Sequence, residues 1–83
     1  MNKYFYTYVL QFKNKKLYIG YCKSLKNRLK EHFDGRVDST KFFRPLELIY
    51  FEACLSKKLA EKRERQLKSG YGRGYLKRRL NLH

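Results

Sequence analysis

The chain has 83 residues and carries 21 lysines and arginines against seven aspartates and glutamates, a net charge of +14. A chain of this length forms one small domain with a thin core, which we expect to span residues 1–83. At 42% the hydrophobic content is too high for a disordered basic tail. The charge therefore predicts a folded domain that binds nucleic acid or another anionic surface.

Membrane and zinc proteins are the classes that the sequence argues against. No stretch approaches ~18 uninterrupted apolar residues, and no apolar signal region opens the chain, so we expect a cytoplasmic protein with no membrane partner. Cys22 and Cys54 lie far apart and form no C-x-x-C pair, which argues against a zinc site. Free cysteines also fit a reducing compartment.

The first predicted element is a β-hairpin. Residues 4–12 alternate and are rich in strand-forming types, with apolar side chains on both faces, so we expect both faces to be partly covered. Residues 13–15 predict the turn, in which Asn14 tolerates a left-handed conformation. Residues 16–22 form the return strand, where Gly20 marks a bulge or a close backbone approach.

A helix follows the hairpin. Ser24 is a suitable N-cap for a helix over residues 25–33, and Gly35 suits the left-handed position after its end. Residues 36–44 read as a loop. The apolar stripe of the helix consists of Leu25, Leu29 and Phe33.

The second half of the chain predicts a strand and two more helices. After the strand at residues 46–51, Ser56 caps a helix over residues 57–68. Three glycines in residues 69–74 are expected to break that helix, and residues 75–82 form the last one. The order β-β-α-β-α-α predicts an α+β fold, a small three-stranded antiparallel sheet flanked by helices.

The second helix carries two unusual charges. Its apolar stripe consists of Leu55, Leu59, Ala60 and Leu67. Arg63 falls within the stripe, where it must snorkel or pair with a carboxylate, and Glu64 lies at the edge.

The candidate chemistry centres on two tyrosines, an arginine and a histidine. Arg28 and His32 are four residues apart and share one helix face. Tyr8 and Tyr18 lie on paired strands where they can converge, and a tyrosine acts as a general base if a nearby cation lowers its pKa. Arg28 is either that cation and a clamp on a phosphoryl oxygen, or one of many solvated basic residues. His32 either donates to the scissile phosphate or relays a proton, or it makes an ordinary structural hydrogen bond.

Glu64 is the candidate metal ligand. As a structural residue it would form an ion pair with Lys57, Lys68 or Arg63. As a functional residue it would bind Mg²⁺ through a single carboxylate, with waters and substrate phosphate oxygens completing the coordination.

The remaining cations predict a nucleic-acid surface. Lysines and arginines spread over several segments would follow a phosphate backbone without reading its sequence. Exposed aromatic side chains could stack on unpaired bases. The candidate backbone contacts are Lys23, Lys26, Lys41, Arg44 and Arg73.

The order of these motifs resembles the GIY-YIG endonuclease superfamily over nearly the whole chain. Residues 6–8 and 18–20 read Tyr-Thr-Tyr and Tyr-Ile-Gly, which resemble the paired motif that names the superfamily. Residues 25–32 resemble its arginine-bearing helix, residues 44–50 its third strand, and residues 60–68 the helix with its metal-binding glutamate. The most similar group is the small stand-alone bacterial one, related to the nuclease domain of the nucleotide-excision-repair subunit (UvrC).

The resemblance implies an endonuclease that needs Mg²⁺ or Mn²⁺ and hydrolyses phosphodiester bonds in DNA. It makes Tyr18 the general base and Tyr8 the residue that orients the nucleophile or the phosphate. It makes Arg28 the residue that stabilises the transition state. It also has His32 assist at the phosphate and Glu64 hold the metal. DNA is favoured over RNA, and repair or recombination of structured DNA is the expected setting.

The sequence departs from the family pattern in three ways. Tyr6 and Thr7 stand where the name-giving motif has Gly and Ile, and Tyr21 stands where some relatives carry a lysine. The chain also has no separate DNA-binding domain, so target choice must come from the bare domain, a protein partner or dimerisation. Two alternatives stay open, a catalytically weak nucleic-acid-binding module and a small basic RNA-associated protein.

Overall fold

A computed structural model describes residues 3–82. It has the predicted order of elements and the predicted α+β fold, with a turn of 3-10 helix at Lys41–Phe43 in the loop after the first helix. No helix within this range combines the length and apolar character needed to cross a membrane. The elements are β1 (Phe5–Phe12), β2 (Leu17–Cys22), α1 (Leu25–Phe33), β3 (Leu46–Cys54), α2 (Lys57–Lys68) and α3 (Gly70–Leu80).

The three strands form one antiparallel sheet in the order β2-β1-β3, with β1 at its centre. Successive side chains of a strand point to opposite faces. Thr7 and Val9 are completely buried on one face, and Tyr8 and Leu10 are nearly or completely buried on the other. The prediction that both faces are covered is therefore confirmed.

The two faces have different covers. On the face of Val9, α2 and α3 close a small apolar core that includes Ile19, Leu67 and Leu76. On the same face, the Thr7 hydroxyl donates to the carbonyl oxygen of Ala60 in α2, over 2.8 Å. On the opposite face α1 covers the side of Tyr8. The central strand thus belongs to two separate packing layers.

The predicted starts of α1 and α2 are confirmed, and the hairpin turn is corrected. Ser24 and Ser56 accept from backbone N–H groups in the first turns of α1 and α2, and Gly35 follows α1 with a φ of +78°. In the hairpin, Lys15 takes the left-handed conformation instead of Asn14. The Asn14 side chain accepts from the N–H of Lys16, so it supports the turn without being its strained residue.

Two further expectations about the elements are corrected, and one is confirmed. β3 continues to Cys54, three residues beyond the predicted end. Phe33, Leu55 and Leu59 are 44%, 70% and 50% exposed, so the apolar stripes of α1 and α2 are narrower than expected. Arg63 pairs with a carboxylate, one of the two alternatives expected for it, because its guanidinium contacts the Glu52 carboxylate of β3 at 2.9 Å.

The break after α2 is confirmed, because α2 ends at Lys68, but the last helix begins among the glycines of residues 69–74 and not at residue 75 as predicted. Ser69 caps α3, which begins at Gly70 and includes Gly72 and Gly74. Gly72 lies so close to α2 that a Cβ atom there would be 2.3 Å from the Gln66 carbonyl oxygen and from the Leu67 Cα atom. Gly72 therefore allows α2 and α3 to meet at a tight corner, a tertiary requirement that outweighs the low helix propensity of glycine.

We expect Gly72→Ala to destabilise the fold by at least about 1–3 kcal/mol, because the new methyl group meets backbone atoms that have no room to move. Gly74→Ala is the matched control in the same helix. Its Cβ atom would be 3.3 Å from the flexible end of Arg78, so helix propensity should leave stability unchanged or raise it by up to ~1 kcal/mol. Urea unfolding measures both, and equal effects would contradict the close approach.

Candidate active site

A chain of hydrogen bonds joins β1, α1 and the loop after α1. Tyr8 Oη lies 2.8 Å from His32 Nε2, and His32 Nδ1 lies 2.8 Å from Thr40 Oγ1. Arg28 Nε donates to Tyr8 Oη at 3.4 Å. His32 and Thr40 are completely buried and Tyr8 is 1% exposed, so this network is the polar interior of the α1 side of the sheet.

The hydrogen bonds assign a direction to the network. The Thr40 hydroxyl donates its single hydrogen to the carbonyl oxygen of Val37 at 3.5 Å, so its oxygen accepts from His32 Nδ1. His32 Nε2 then has a free lone pair and accepts from the Tyr8 hydroxyl. The Tyr8 oxygen in turn accepts from Arg28. This order requires a neutral His32 with its proton on Nδ1.

Burial keeps the histidine and the tyrosine neutral. Desolvation, followed by the nearby charge of Arg28, lowers the pKa of His32 to about 4. Desolvation also raises the pKa of Tyr8 to about 12, against the opposing effect of the Arg28 hydrogen bond. For Tyr8, burial outweighs the cation that was expected to promote deprotonation. Tyr8 therefore keeps its proton at neutral pH and acts as a support for its neighbours.

Tyr18 lies beside this network, and the predicted convergence of the two tyrosines is confirmed. Its ring centroid is 6.4 Å from that of Tyr8 and 5.2 Å from that of His32. Gly20 lies directly opposite Tyr8 in the sheet, and a Cβ atom there would be 2.6 Å from Tyr8 Oη. The close approach expected at Gly20 is thus the tyrosine ring lying over the β2 backbone.

Arg28 reaches from the network to the surface. Its side chain is 36% exposed, and its Nη1 contacts the Glu31 carboxylate at 3.0 Å. The hydrogen bond to Tyr8, together with that to Glu31, raises the pKa of Arg28. The guanidinium group is therefore permanently charged, fixed on one edge by Tyr8 and open to solvent in part. An anion at the surface could use that open part.

His32 occupies a more interior position than a substrate-binding residue. Both ring nitrogens are engaged and the side chain has no exposed surface. Two roles were considered for His32, a contact with the phosphate and a structural hydrogen bond. The structure contains the structural hydrogen bonds. His32 holds Tyr8, and Tyr8 holds Arg28.

Glu64 lies on the other side of the sheet from this network, in α2. Its side chain is 17% exposed and pairs with Lys68 at 3.6 Å, one of the three ion pairs that were considered. Nearby, the Tyr21 hydroxyl donates to Glu61 at 3.0 Å. That hydrogen bond raises the pKa of Tyr21, and the charge of Glu64 contributes. Glu64 is therefore close to β2, the edge strand that also carries Tyr18.

The donor set around Glu64 fits only a weakly ligated metal. Within residues 3–82, no group of three or more His, Cys, Asp or Glu side chains gathers where it could hold an ion. A partly exposed single carboxylate matches the way Mg²⁺ is often bound, with waters and substrate phosphates as its other ligands. Lys68 competes with such an ion for the carboxylate.

The five predicted backbone-binding cations lie in three places. Lys23 and Lys26 are exposed near the start of α1. Lys41 pairs with Asp38 at 3.3 Å, and Arg44 donates to the Lys41 carbonyl oxygen beside it. Arg73 lies in a cavity between the β1–β2 hairpin and α3. The structure therefore distributes these charges around the domain, and their contact with nucleic acid stays a prediction.

Two residues of the site were not singled out from the sequence. Thr40 completes the hydrogen bonds of His32, but a threonine in a loop eight residues later carries no local signal of that role. Glu61 binds the Tyr21 hydroxyl across the α2 side of the sheet. The helical pattern had placed Glu61 away from the apolar stripe, and the packing of α2 on β2 adds the Tyr21 hydroxyl to the ion pair that Glu61 forms with Arg65 within α2.

Comparison with known proteins identifies relatives over most of the chain. A family model described as the GIY-YIG catalytic domain matches residues 4–81. A UPF0213 protein of Haloquadratum walsbyi is 33% identical over 72 residues, which cover 83% of this chain and 79% of that one. A UPF0213 protein of Staphylococcus saprophyticus is 37% identical over 65 residues, which cover 77% and 79%.

A solved structure agrees with the fold described above. The solution NMR structure of a UPF0213 protein from Bacillus halodurans matches with a TM-score of 0.55 and 29% sequence identity. The match covers 88% of this chain and 81% of the other.

We expect the protein to lose stability as the pH falls from about 6.5 towards 4, because the unfolded chain protonates His32 at its ordinary pKa while the folded chain does not. The loss contributed by His32 should reach roughly 3 kcal/mol at pH 4 and be absent above pH 7. Urea unfolding at several pH values measures it. His32→Gln should unfold with a flatter pH dependence between pH 5 and 6.5, and an unchanged dependence would contradict the neutral buried state.

Thr40→Val should destabilise the protein by about 1–3 kcal/mol, because it leaves the buried Nδ1–H of His32 without an acceptor. Thr40→Ser is the matched control, since it keeps the hydroxyl group and should lose less. Comparing the urea midpoints of the two variants tests whether His32 needs the hydroxyl. A valine variant as stable as the serine variant would show that the hydroxyl is not needed.

Proposed function

The chain belongs to the GIY-YIG catalytic domain family, and we propose that it is an endonuclease that hydrolyses phosphodiester bonds in DNA with Mg²⁺ or Mn²⁺. The observation that supports this most is the network in which Arg28, Tyr8, His32 and Thr40 are joined beside Tyr18. It fixes the permanent positive charge of Arg28 beside Tyr8, with Tyr18 next to Tyr8 and His32, on a chain of net charge +14. A general base and a cation close to the phosphate both promote attack on a phosphodiester.

Tyr18 is the proposed general base. Tyr8 is buried and keeps its proton because its pKa is raised to about 12, which leaves Tyr18 as the half-buried tyrosine of the pair. In the proposed reaction Tyr18 first gives its hydroxyl proton to solvent, and the resulting phenolate takes a proton from a water molecule as that water attacks phosphorus. The bond from phosphorus to the leaving oxygen then breaks, and that oxygen must gain a proton from solvent.

Arg28 is the proposed stabiliser of charge. Its guanidinium is held by Tyr8 and Glu31 while part of it reaches solvent. A preorganised cation at the surface stabilises the extra negative charge that develops on the non-bridging phosphate oxygens. His32 and Thr40 contribute as positioning residues, because they fix the Tyr8 hydroxyl that in turn fixes Arg28.

Glu64 is the proposed metal ligand. A divalent cation held by its carboxylate would stabilise the oxyanion that leaves. The single, partly exposed carboxylate suits an ion that takes its other ligands from water and the substrate. The ion pair with Lys68 would have to open when the cation binds.

DNA is the proposed substrate, and structured or branched DNA in repair or recombination is the setting that fits a small basic domain. The ion pair between Lys68 and Glu64 favours one alternative, a binding module in which Glu64 is structural. In that alternative the chain binds nucleic acid without cutting it. The other alternative is a small basic RNA-associated protein, which belongs to a different functional class.

The test is cleavage of labelled single-stranded, duplex, flap and junction DNA with Mg²⁺ or Mn²⁺ and with EDTA. We expect metal-dependent cutting, and a loss of at least about 100-fold in Tyr18→Phe and in Glu64→Gln. Glu64→Gln should bind DNA as well as the wild type or more tightly, because it removes a negative charge. Matched controls are Tyr71→Phe and Glu47→Gln, which change an exposed tyrosine and an exposed carboxylate.

Three results would contradict the proposal. Binding without cleavage by the wild type across all DNA forms would support the binding module. Loss of binding in Glu64→Gln would make that residue structural. Tight RNA binding without DNA cleavage would support the RNA-associated protein. Circular dichroism of each variant separates loss of chemistry from loss of fold.

A further inference from the structure

A cavity of about 780 Å³ opens between the β1–β2 hairpin and α3, beside the edge strand β2. Its volume lies within the range of about 300–1,000 Å³ found for small-molecule sites. One wall comes from the hairpin and the other from α3 and the end of α2. The cavity is distinct from the buried network of Tyr8 and His32, because neither residue lines it.

The lining of the cavity is strongly basic. Five cationic side chains contribute to it, and no aspartate or glutamate does. Within residues 3–82, Lys68 is the one member of this group that the structure pairs with a carboxylate. The group complements an anion that carries several charges along its length, such as consecutive phosphates. Its members are Lys15, Lys16, Lys68, Arg73 and Lys77.

Part of the cavity lining is apolar. Leu17, Ile19 and Leu82 contribute to it beside the cationic side chains and are here called the apolar floor. An inorganic anion would make no use of such a surface, whereas a nucleotide combines a charged phosphate with a flat, weakly polar base. Tyr18 also lines the cavity, at the edge strand β2, while its ring lies towards His32.

Tyr18 connects the cavity to the candidate active site. Its ring centroid lies 5.2 Å from that of His32, and the same residue forms part of the cavity wall. A strand that occupies the cavity would therefore run along β2, the edge strand that carries the proposed general base. The ion pair from Lys68 to Glu64 connects the cavity with the proposed metal ligand in the same way.

We propose that this cavity binds an unpaired nucleotide of DNA next to the scissile phosphate, with its phosphates on the five cations and its base over the apolar floor. The inference rests on the proposed function and adds the class of substrate. A base enters a recess between two walls only when it is not stacked and paired within a duplex. Single-stranded DNA, or the unpaired arm of a flap, is therefore the preferred substrate.

The test measures binding in EDTA, where cleavage does not occur, by fluorescence anisotropy of labelled single-stranded and blunt duplex DNA of equal length. Arg73→Ala/Lys77→Ala should weaken single-strand binding at least about tenfold and reduce the slope of log affinity against log salt by about 1.4, since each phosphate contact contributes ~0.7. Arg78→Ala/Arg79→Ala is the matched control, because it removes two charges from the same helix outside the cavity. It should change affinity less than threefold.

A second variant tests the apolar floor. Leu82→Ser should weaken single-strand binding several-fold, leave duplex binding unchanged and leave the salt slope unchanged, because it removes a base contact and no charge. Equal losses in the two charge variants would overturn the proposal, as would duplex DNA bound as tightly as single strands. Tighter binding of single-stranded RNA of the same sequence would overturn the assignment to DNA.

The binding experiment also separates this inference from the proposed function. If cavity variants lose binding but the wild type cuts no DNA with any metal, the cavity is a nucleotide site and the endonuclease proposal fails. If the wild type cuts DNA and the cavity variants bind normally, the endonuclease proposal stands and the cavity inference fails.

Discussion

The hydrogen bond between Tyr8 and His32 is the interaction on which the candidate site depends. It joins the central strand to α1 at 2.8 Å in a region closed to solvent. A buried polar group without a partner costs more than a typical hydrogen bond contributes, so Tyr8, His32 and Thr40 constrain one another. The position of α1 follows from this constraint, and with it the place where Arg28 reaches the surface. Gly20 is part of the same constraint, because only its lack of a side chain admits the Tyr8 ring.

Side chains of β1 point alternately to the two faces of the sheet, and this alternation separates the apolar core from the candidate site. Val9 and Thr7 face α2 and α3 and hold the apolar core, whereas Tyr8 faces α1 and the polar network. A domain of this size buries too little surface to enclose a deep active site. The candidate groups therefore gather at the edge strand β2. Tyr18 lies near the α1 side of this strand, the charge of Glu64 acts on Tyr21 from the α2 side, and a basic cavity opens beside the strand.

The sequence predicted the elements well wherever they depend on interactions between residues that are close in the chain. The serine caps, the end of α1 at Gly35 and the pairing of the first two strands depend on residues a few positions apart. The start of α3 was missed because the glycines of residues 70–74 have low helix propensity, while the tight contact of Gly72 with α2 makes glycine necessary there. Similarly, the pattern placed Arg63 in an apolar stripe, and its partner Glu52 comes from a different element.

The sequence by itself determined the fold class, the order of the elements, the one-face spacing of Arg28 and His32, and the resemblance to the GIY-YIG family. Only the tertiary structure decided that His32 is buried and neutral, that Thr40 completes its hydrogen bonds, and that Glu64 lies across the sheet from the tyrosine network. The basic cavity, too, exists only in the tertiary structure, which brings the hairpin and α3 together. The physical reason is that burial and charge depend on groups brought together from distant parts of the chain, as when Thr7 binds the Ala60 carbonyl 53 residues away. No periodicity in the sequence records such contacts.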